Sequence, residues 1–394
     1  MLPYGVGDEP DCAAGRSLPK PSHRQGDGHR GYRDRHCHDR LYLSGRPAGG
    51  GADISSDVPR HRHCLPPRRD RGLLRDDWAI DGGSGERSVN NATFIAVEWG
   101  TARVRSRLLT ASGEIVDSTV EDVRLAELDR SAQIGRLHRV RARWPEASGI
   151  MWLAGMIGSP MGLEPVPQLP CPATPAMIAA HGRHLPIDGL SLAILPGLSC
   201  VSRFGDPDFL RGEEVSVAGL IGTGRSENAL LLSVPGMHGK WIELSASRVE
   251  RFHTAMTVEL YRVLAERSIL APLMATSAQD GEAFRAGLSR SIEGGALARL
   301  LFSARTAVLS RRFSEEEAAS YLWGVLIGSD VRDGLPRGEG VEPRCFVTGA
   351  DDVAPLFRAA LDHMGMRVEL VDDNRLSAIG FAKIRQAAVQ EELA

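Results

Sequence analysis

Lysine is almost missing from this chain. Lys20, Lys240 and Lys383 are the only three, while lysine and arginine together number 47. Ordinary surface cations here are arginines, so a lysine inside a glycine turn, Lys240, stands out as a compact point charge; a chance surface lysine is the plainer reading. Long apolar runs are also missing. None approaches the roughly 18 residues of a membrane span, and Met1–Gly50 has no apolar core of a secretory signal. The six cysteines show no CxxC spacing, which excludes a disulfide framework and fits reduced thiols and a cytoplasmic location. A formal charge of −3 over 394 residues gives no reason to expect nucleic acid or an anionic membrane as partner.

The stretch 1–91 lacks any period-2 or period-3.6 apolar pattern and is rich in Arg, Asp, Gly, Pro and His. It cannot bury enough apolar surface to offset chain entropy, so a disordered extension outside the working protein is expected. Its His36-Cys-His38 and His61-Arg-His-Cys64 clusters fit no standard zinc-finger spacing. Folded chain is expected from near Thr93.

From Phe94 onward, strands alternate with helices, which defines the class as α/β. Strands are predicted at 94–99, 103–109, 114–119, 149–154, 192–196, 229–234, 240–244, 345–348 and 367–371. Predicted helices cover Thr254–Glu266, with Met256, Leu260, Val263 and Leu264 on one face, then Gly294–Leu309 and Ser314–Gly328. The last of these opens on a Ser314/Glu317 capping-box spacing. Asp351–Met364 ends at a C′ glycine, Gly365, and Leu376–Gln390 closes the chain. A boundary at Gly212 divides domains 92–212 and 213–394.

Two strand–turn–strand units dominate the chemistry. In the first, Glu98 ends a strand and Gly100-Thr101 form the turn. In the second, Pro235-Gly-Met-His-Gly239 turns into Lys240-Trp241. Such turns can gather backbone N–H groups, a hydroxyl, a cation and a metal-binding carboxylate around a triphosphate. The repetition predicts a duplicated domain gripping phosphate between its halves. Each unit read alone is also an ordinary hairpin, and His238 is equally readable as a structural histidine. Between them, Arg211-Gly-Glu-Glu214 offers a general base or, alternatively, acids favoured at a helix N-terminus. Ala154-Gly-Met-Ile-Gly-Ser159 reads as a cleft loop, and Val347-Thr-Gly-Ala350 as a ligand turn at a strand's carboxyl end.

In order, these motifs resemble the 2-dehydro-3-deoxygalactonokinase family of the actin/hexokinase/Hsp70 superfamily. The matches are Val97-Glu-Trp-Gly-Thr101 with Arg105, Ala154–Ser159, Leu195-Pro-Gly197, Arg211–Glu214, Pro235–Trp241, Met256-Thr257 with Glu259-Leu260, Gly324–Gly328, Thr348-Gly349 and Ala378-Ile-Gly380. The resemblance implies two actin-like (ribonuclease H-like) ATPase domains around an interdomain cleft. It implies ATP- and Mg²⁺-dependent phosphorylation of 2-dehydro-3-deoxy-D-galactonate at its 6-hydroxyl, in galactonate breakdown, with a homodimer possible. Glu213 is expected as base, with Glu214 second. ATP would be held by Gly100, Thr101, Gly236, Met237, His238, Gly239 and Lys240, with Gly349 and Ala350 near the adenosine. Gly158, Ser159, Arg211 and Arg105 would face the sugar acid, and Glu98 would meet Mg²⁺ through water.

Several positions depart from the family pattern. Glu98 stands where the family has Asp, Met237 where it has Thr or Ser, and Pro160 where it has Asn. Val258 replaces a glycine, and Leu163 and Gln168 replace a Trp and a Tyr. These departures are expected to cluster at the site and not in the core. They favour, as the alternative, a kinase of another keto-deoxy sugar acid or a nucleotide or sugar-acid sensor with weakened turnover.

Overall fold

In the computed structural model, residues 93–147, 149–336 and 342–392 are described. The expected disordered extension and its His/Cys clusters lie outside them.

The first lobe comprises β1 (Phe94–Trp99), β2 (Arg103–Leu109), β3 (Ile115–Asp122), α1 (Arg130–Arg143), β4 (Met151–Gly155), β5 (Leu169–Pro170), α2 (Pro175–Ala180), β6 (Arg183–Ile187), β7 (Leu190–Ile194), β8 (Leu198–Val201), β9 (Pro207–Leu210) and α3 (Glu213–Gly222). Its main sheet has the order β3-β2-β1-β4-β7-β6, and β5, β8 and β9 form a small separate sheet. The second lobe continues with β10 (Ala229–Val234), β11 (Gly239–Ser245), β12 (Arg248–Ala255), α4 (Thr257–Arg267), α5 (Glu282–Ile292), α6 (Leu297–Leu309), α7 (Ala318–Gly334), β13 (Arg344–Gly349), α8 (Ala354–His363), β14 (Val368–Leu370) and α9 (Asp373–Glu392). Its sheet runs β12-β11-β10-β13-β14.

Both sheets share one plan. An antiparallel meander leads into parallel strands: β2 pairs antiparallel and β4 parallel with β1, as β11 and β13 do with β10. The central strands are apolar on both faces because both faces are covered. Along β1, Phe94 and Ala96 enter one core while Ile95, Val97 and Trp99 enter another. Along β10, Ala229 and Leu231 point into that first core, and Leu230, Leu232 and Val234 away from it. Glu98 and Ser233 therefore hold equivalent places, each the last inward position of its strand.

The shared core is filled by α3 and α9, sandwiched between the sheets. The helices cross at glycines: a Cβ on Gly219 would lie 1.9 Å from the Leu376 carbonyl, and one on Gly380 would lie 1.7 Å from the Val215 carbonyl. Only a bare backbone fits there.

The structure revises several boundaries. The helix predicted from Thr254 starts at Thr257, because 254–255 finish β12, and Met256 and Val263 are exposed. Glu317 does accept from the Ser314 N–H at 2.9 Å, but this closes a turn ahead of α7, which begins at Ala318. Gly365 is left-handed (φ 78°) after α8; its N–H donates to Asp362 and that of Met366 to Leu361, as a Schellman end requires.

Candidate active site

A cleft of about 1550 Å³ gathers both hairpin turns, the Ala154–Ser159 loop and the start of α3. Glu98, Gly100, Thr101, Arg105, Gly158, Ser159, Arg211, Glu213, Gly236, Met237, His238 and Lys240 all line it. Glu214, Gly239, Gly349 and Ala350 do not. Gly239 is buried at the start of β11. Gly349 sits one strand over from the second turn, at φ 138°, where a Cβ would press on the Val234 carbonyl at 2.1 Å. Ala350 donates its N–H to that same carbonyl at 3.0 Å. Close packing of β13 on β10 accounts for this glycine.

The two acids of α3 have different surroundings. Glu213 is half-buried on the cleft wall, and its Oε2 accepts the Arg211 N–H at 3.1 Å. Burial pushes its carboxyl up; the Lys240 charge and backbone N–H groups oppose this without cancelling it. Glu214 is wholly inside and accepts the Gly212 N–H at 2.5 Å, while its Oε1 has no partner. Burial pushes it to about 8. Both carboxylates thus cap the helix start, and one of them also faces the cleft.

The second turn carries positive charge. Lys240 Nζ donates to the Phe209 carbonyl at 2.9 Å and to Thr254 Oγ1 at 2.6 Å; Thr254 Oγ1 in turn donates to Asp208 at 2.7 Å. His238 Nε2 lies 2.5 Å from Glu259 Oε2, so one of its nitrogens is engaged by α4. Arg262 reaches Met237 Sδ at 3.0 Å. Gly236 has no atom within 4 Å of an added Cβ, so it opens onto free cleft space. Opposite, Arg211 Nη2 donates to the Val166 carbonyl at 2.7 Å, while its buried Nη1 has no partner. Arg211, Lys240 and Arg262 spend their bonds on carbonyl, hydroxyl and sulfur acceptors, which leaves positive charge for an anionic ligand.

Two expected donors are already in use. The Gly100 N–H donates to the Arg103 carbonyl at 2.8 Å, closing the first turn. Ser159 Oγ donates to the Met156 carbonyl at 2.7 Å and accepts from the Met161 N–H at 3.3 Å.

Glu98, expected to meet Mg²⁺ through water, is engaged by neighbouring donors. Its Oε2 accepts Arg107 Nη1 at 2.7 Å and Ser377 Oγ at 2.6 Å, and Arg105 Nη1 lies 3.5 Å away. Burial acts to raise its carboxyl, but Arg107, Arg105 and the Ser377 bond together hold it below the usual range. Asp373, which also lines the cleft, is raised by burial and by the Glu98 charge. Among the described residues, no group of three or more His, Cys, Asp or Glu side chains could hold a metal ion. Arg107, Asp373, Ser216 and Ser377 were not read from the sequence. One signal was present: Arg103, Arg105 and Arg107 alternate along β2, so all three share a face with Glu98.

The departures from the family pattern do not all sit at the cleft. Glu98, Pro160, Gln168 and Met237 line it, but Val258 and Leu163 are buried in the apolar cores of their lobes. Both are hydrocarbon side chains, and both fill core space.

Two sheets of one strand plan, with a hairpin turn from each lining a single cleft, match the fold of a solved structure assigned as a sugar-acid kinase. The profile of the 2-keto-3-deoxy-galactonokinase family matches residues 98–384, and the chain belongs to that family. It is 31% identical over 303 residues to a protein of Rhizobium meliloti assigned as a 2-dehydro-3-deoxygalactonokinase, covering 75% of this chain and 97% of the relative. To the Escherichia coli 2-dehydro-3-deoxygalactonokinase it is 30% identical over 299 residues, covering 75% and 98%. A crystal structure from Sinorhizobium meliloti, assigned to the same activity, superposes with a TM-score of 0.68 at 28% identity, over 76% of this chain and 99% of that one.

Proposed function

We propose that this protein transfers the γ-phosphoryl group of ATP to the 6-hydroxyl of 2-dehydro-3-deoxy-D-galactonate, a step in galactonate breakdown. The observation that carries this reading is that Glu213, at the start of α3, and Lys240, in the second hairpin, line a single cleft. Glu213 takes the hydroxyl proton as the sugar oxygen bonds to the γ-phosphorus. The bond from that phosphorus to the β–γ bridging oxygen breaks, and ADP leaves with the electron pair. Lys240 neutralises phosphate charge, and the bare backbone at Gly236 leaves room for the polyphosphate. Arg211, with Nη1 unpartnered, suits the substrate carboxylate through its planar fork. Gly349 and Ala350, beside the second turn, are assigned to the adenosine side. Magnesium supplies charge neutralisation on ATP in phosphoryl transfer of this kind, and no described residue is assigned to it. The need for ATP makes the cytoplasm the working compartment.

The test is ADP formation with 2-dehydro-3-deoxygalactonate and its stereoisomers as acceptors. Acceptor-dependent ADP release is expected. Folded protein that yields no ADP above the acceptor-free background would overturn the kinase reading. If the sugar acid still raises the melting temperature in that case, the protein is a binder without turnover.

A further inference from the structure

A charge cluster beside the cleft joins β1 and β2 to α3 and α9. Arg107 is 1% exposed, and besides Glu98 it reaches Ser377 Oγ and Asn374 Oδ1, each at 3.2 Å. Arg105 Nη1 stands 3.5 Å from both Glu98 Oε2 and Asp373 Oδ2. Ser216 Oγ of α3 donates to Asp373 Oδ1 at 2.8 Å. A buried guanidinium survives only with its charge matched and its N–H groups bonded, and both conditions are met here. The two carboxylates and two guanidiniums sum to zero formal charge. A divalent ion draws its affinity from excess negative charge on oxygen ligands. At Glu98 it would meet two guanidiniums first.

We propose that Arg105 and Arg107 form a built-in cation at Glu98, filling the electrostatic role that a divalent ion would otherwise take at this end of β1. The Glu98 charge is spent on the arginines, and a divalent ion used by the protein enters on the nucleotide's phosphates. This rests on the kinase reading only for the nature of the ligand. The test uses nucleotide-free protein, so either idea can fail alone.

Mn²⁺ is titrated into the nucleotide-free full chain, and free Mn²⁺ is read by electron paramagnetic resonance. Wild type and Glu98→Gln are expected to bind indistinguishably. Arg107→Met leaves Glu98 with a surplus charge and is expected to gain a Mn²⁺ site about tenfold tighter than any in wild type, roughly 1.4 kcal/mol. That site should vanish in the Glu98→Gln/Arg107→Met double variant. A Mn²⁺ ion held by wild type and lost in Glu98→Gln overturns the proposal, as does a folded Arg107→Met that gains nothing. Should Arg107→Met fail to fold, the comparison of wild type with Glu98→Gln decides by itself.

Discussion

Glu213 and Glu214 are adjacent in sequence and divide the work of one helix start. Glu213→Gln keeps the side-chain shape and removes the base. It should lower kcat by roughly 10²–10⁴-fold, with nucleotide-induced thermal stabilisation retained; a loss below tenfold would remove Glu213 from the base role. For Glu214 the prediction concerns pH. Its carboxyl sits near 8 in the folded protein and near 4.3 in the unfolded chain. Between those values the folded state holds the extra proton, so stability is full at acid pH and falls as pH rises toward 8. Glu214→Gln should flatten that fall by on the order of a few kcal/mol, read as the difference in unfolding free energy between pH 5 and pH 8. The sequence showed both acids as base or cap, and could not say which one meets the cleft. Neighbours on a helix point about 100° apart, and the roll of α3 is set by α9 and the two sheets, which are remote in sequence.

Elements bounded by turn residues were legible. Strands β1, β2 and β10 appeared at their observed bounds, because short apolar runs flanked by turn residues, and alternation in β2, mark them locally. Helix α3 did not announce itself as a helix: Glu214 through Ile221 are all buried, so it has no polar face to set a 3.6-residue rhythm. Its contact with α9 depends on backbone lying against backbone. Gly380→Ala forces a methyl group against the Val215 carbonyl and should cost about 1–3 kcal/mol or more, seen as a melting temperature several degrees lower. An unchanged melting temperature would mean the crossing is looser than the 1.7 Å approach requires.

At the scale of the whole molecule, the repeated strand–turn–strand unit disclosed the duplication, because each copy is written in a few consecutive residues. The ion cluster was hidden, since its partners come from β1, β2, α3 and α9 and meet only after folding. The cleft's cations, only partly offset by Glu213, predict salt sensitivity. Nucleotide affinity should fall as NaCl rises from 0.05 to 0.5 M by at least several-fold, since the screening length shrinks across that range. Lys240→Met should weaken binding at low salt and reduce the slope; an equal slope in both proteins would assign the attraction elsewhere.

Glu98 and Ser233 stand at corresponding points of two like halves, yet one is anionic and the other a neutral hydroxyl. A scaffold with near twofold regularity has no inherent front or back. This mismatch gives it polarity: one half ends its central strand on a carboxylate matched by two guanidiniums, the other on a neutral hydroxyl, so whatever enters between them meets two unlike walls.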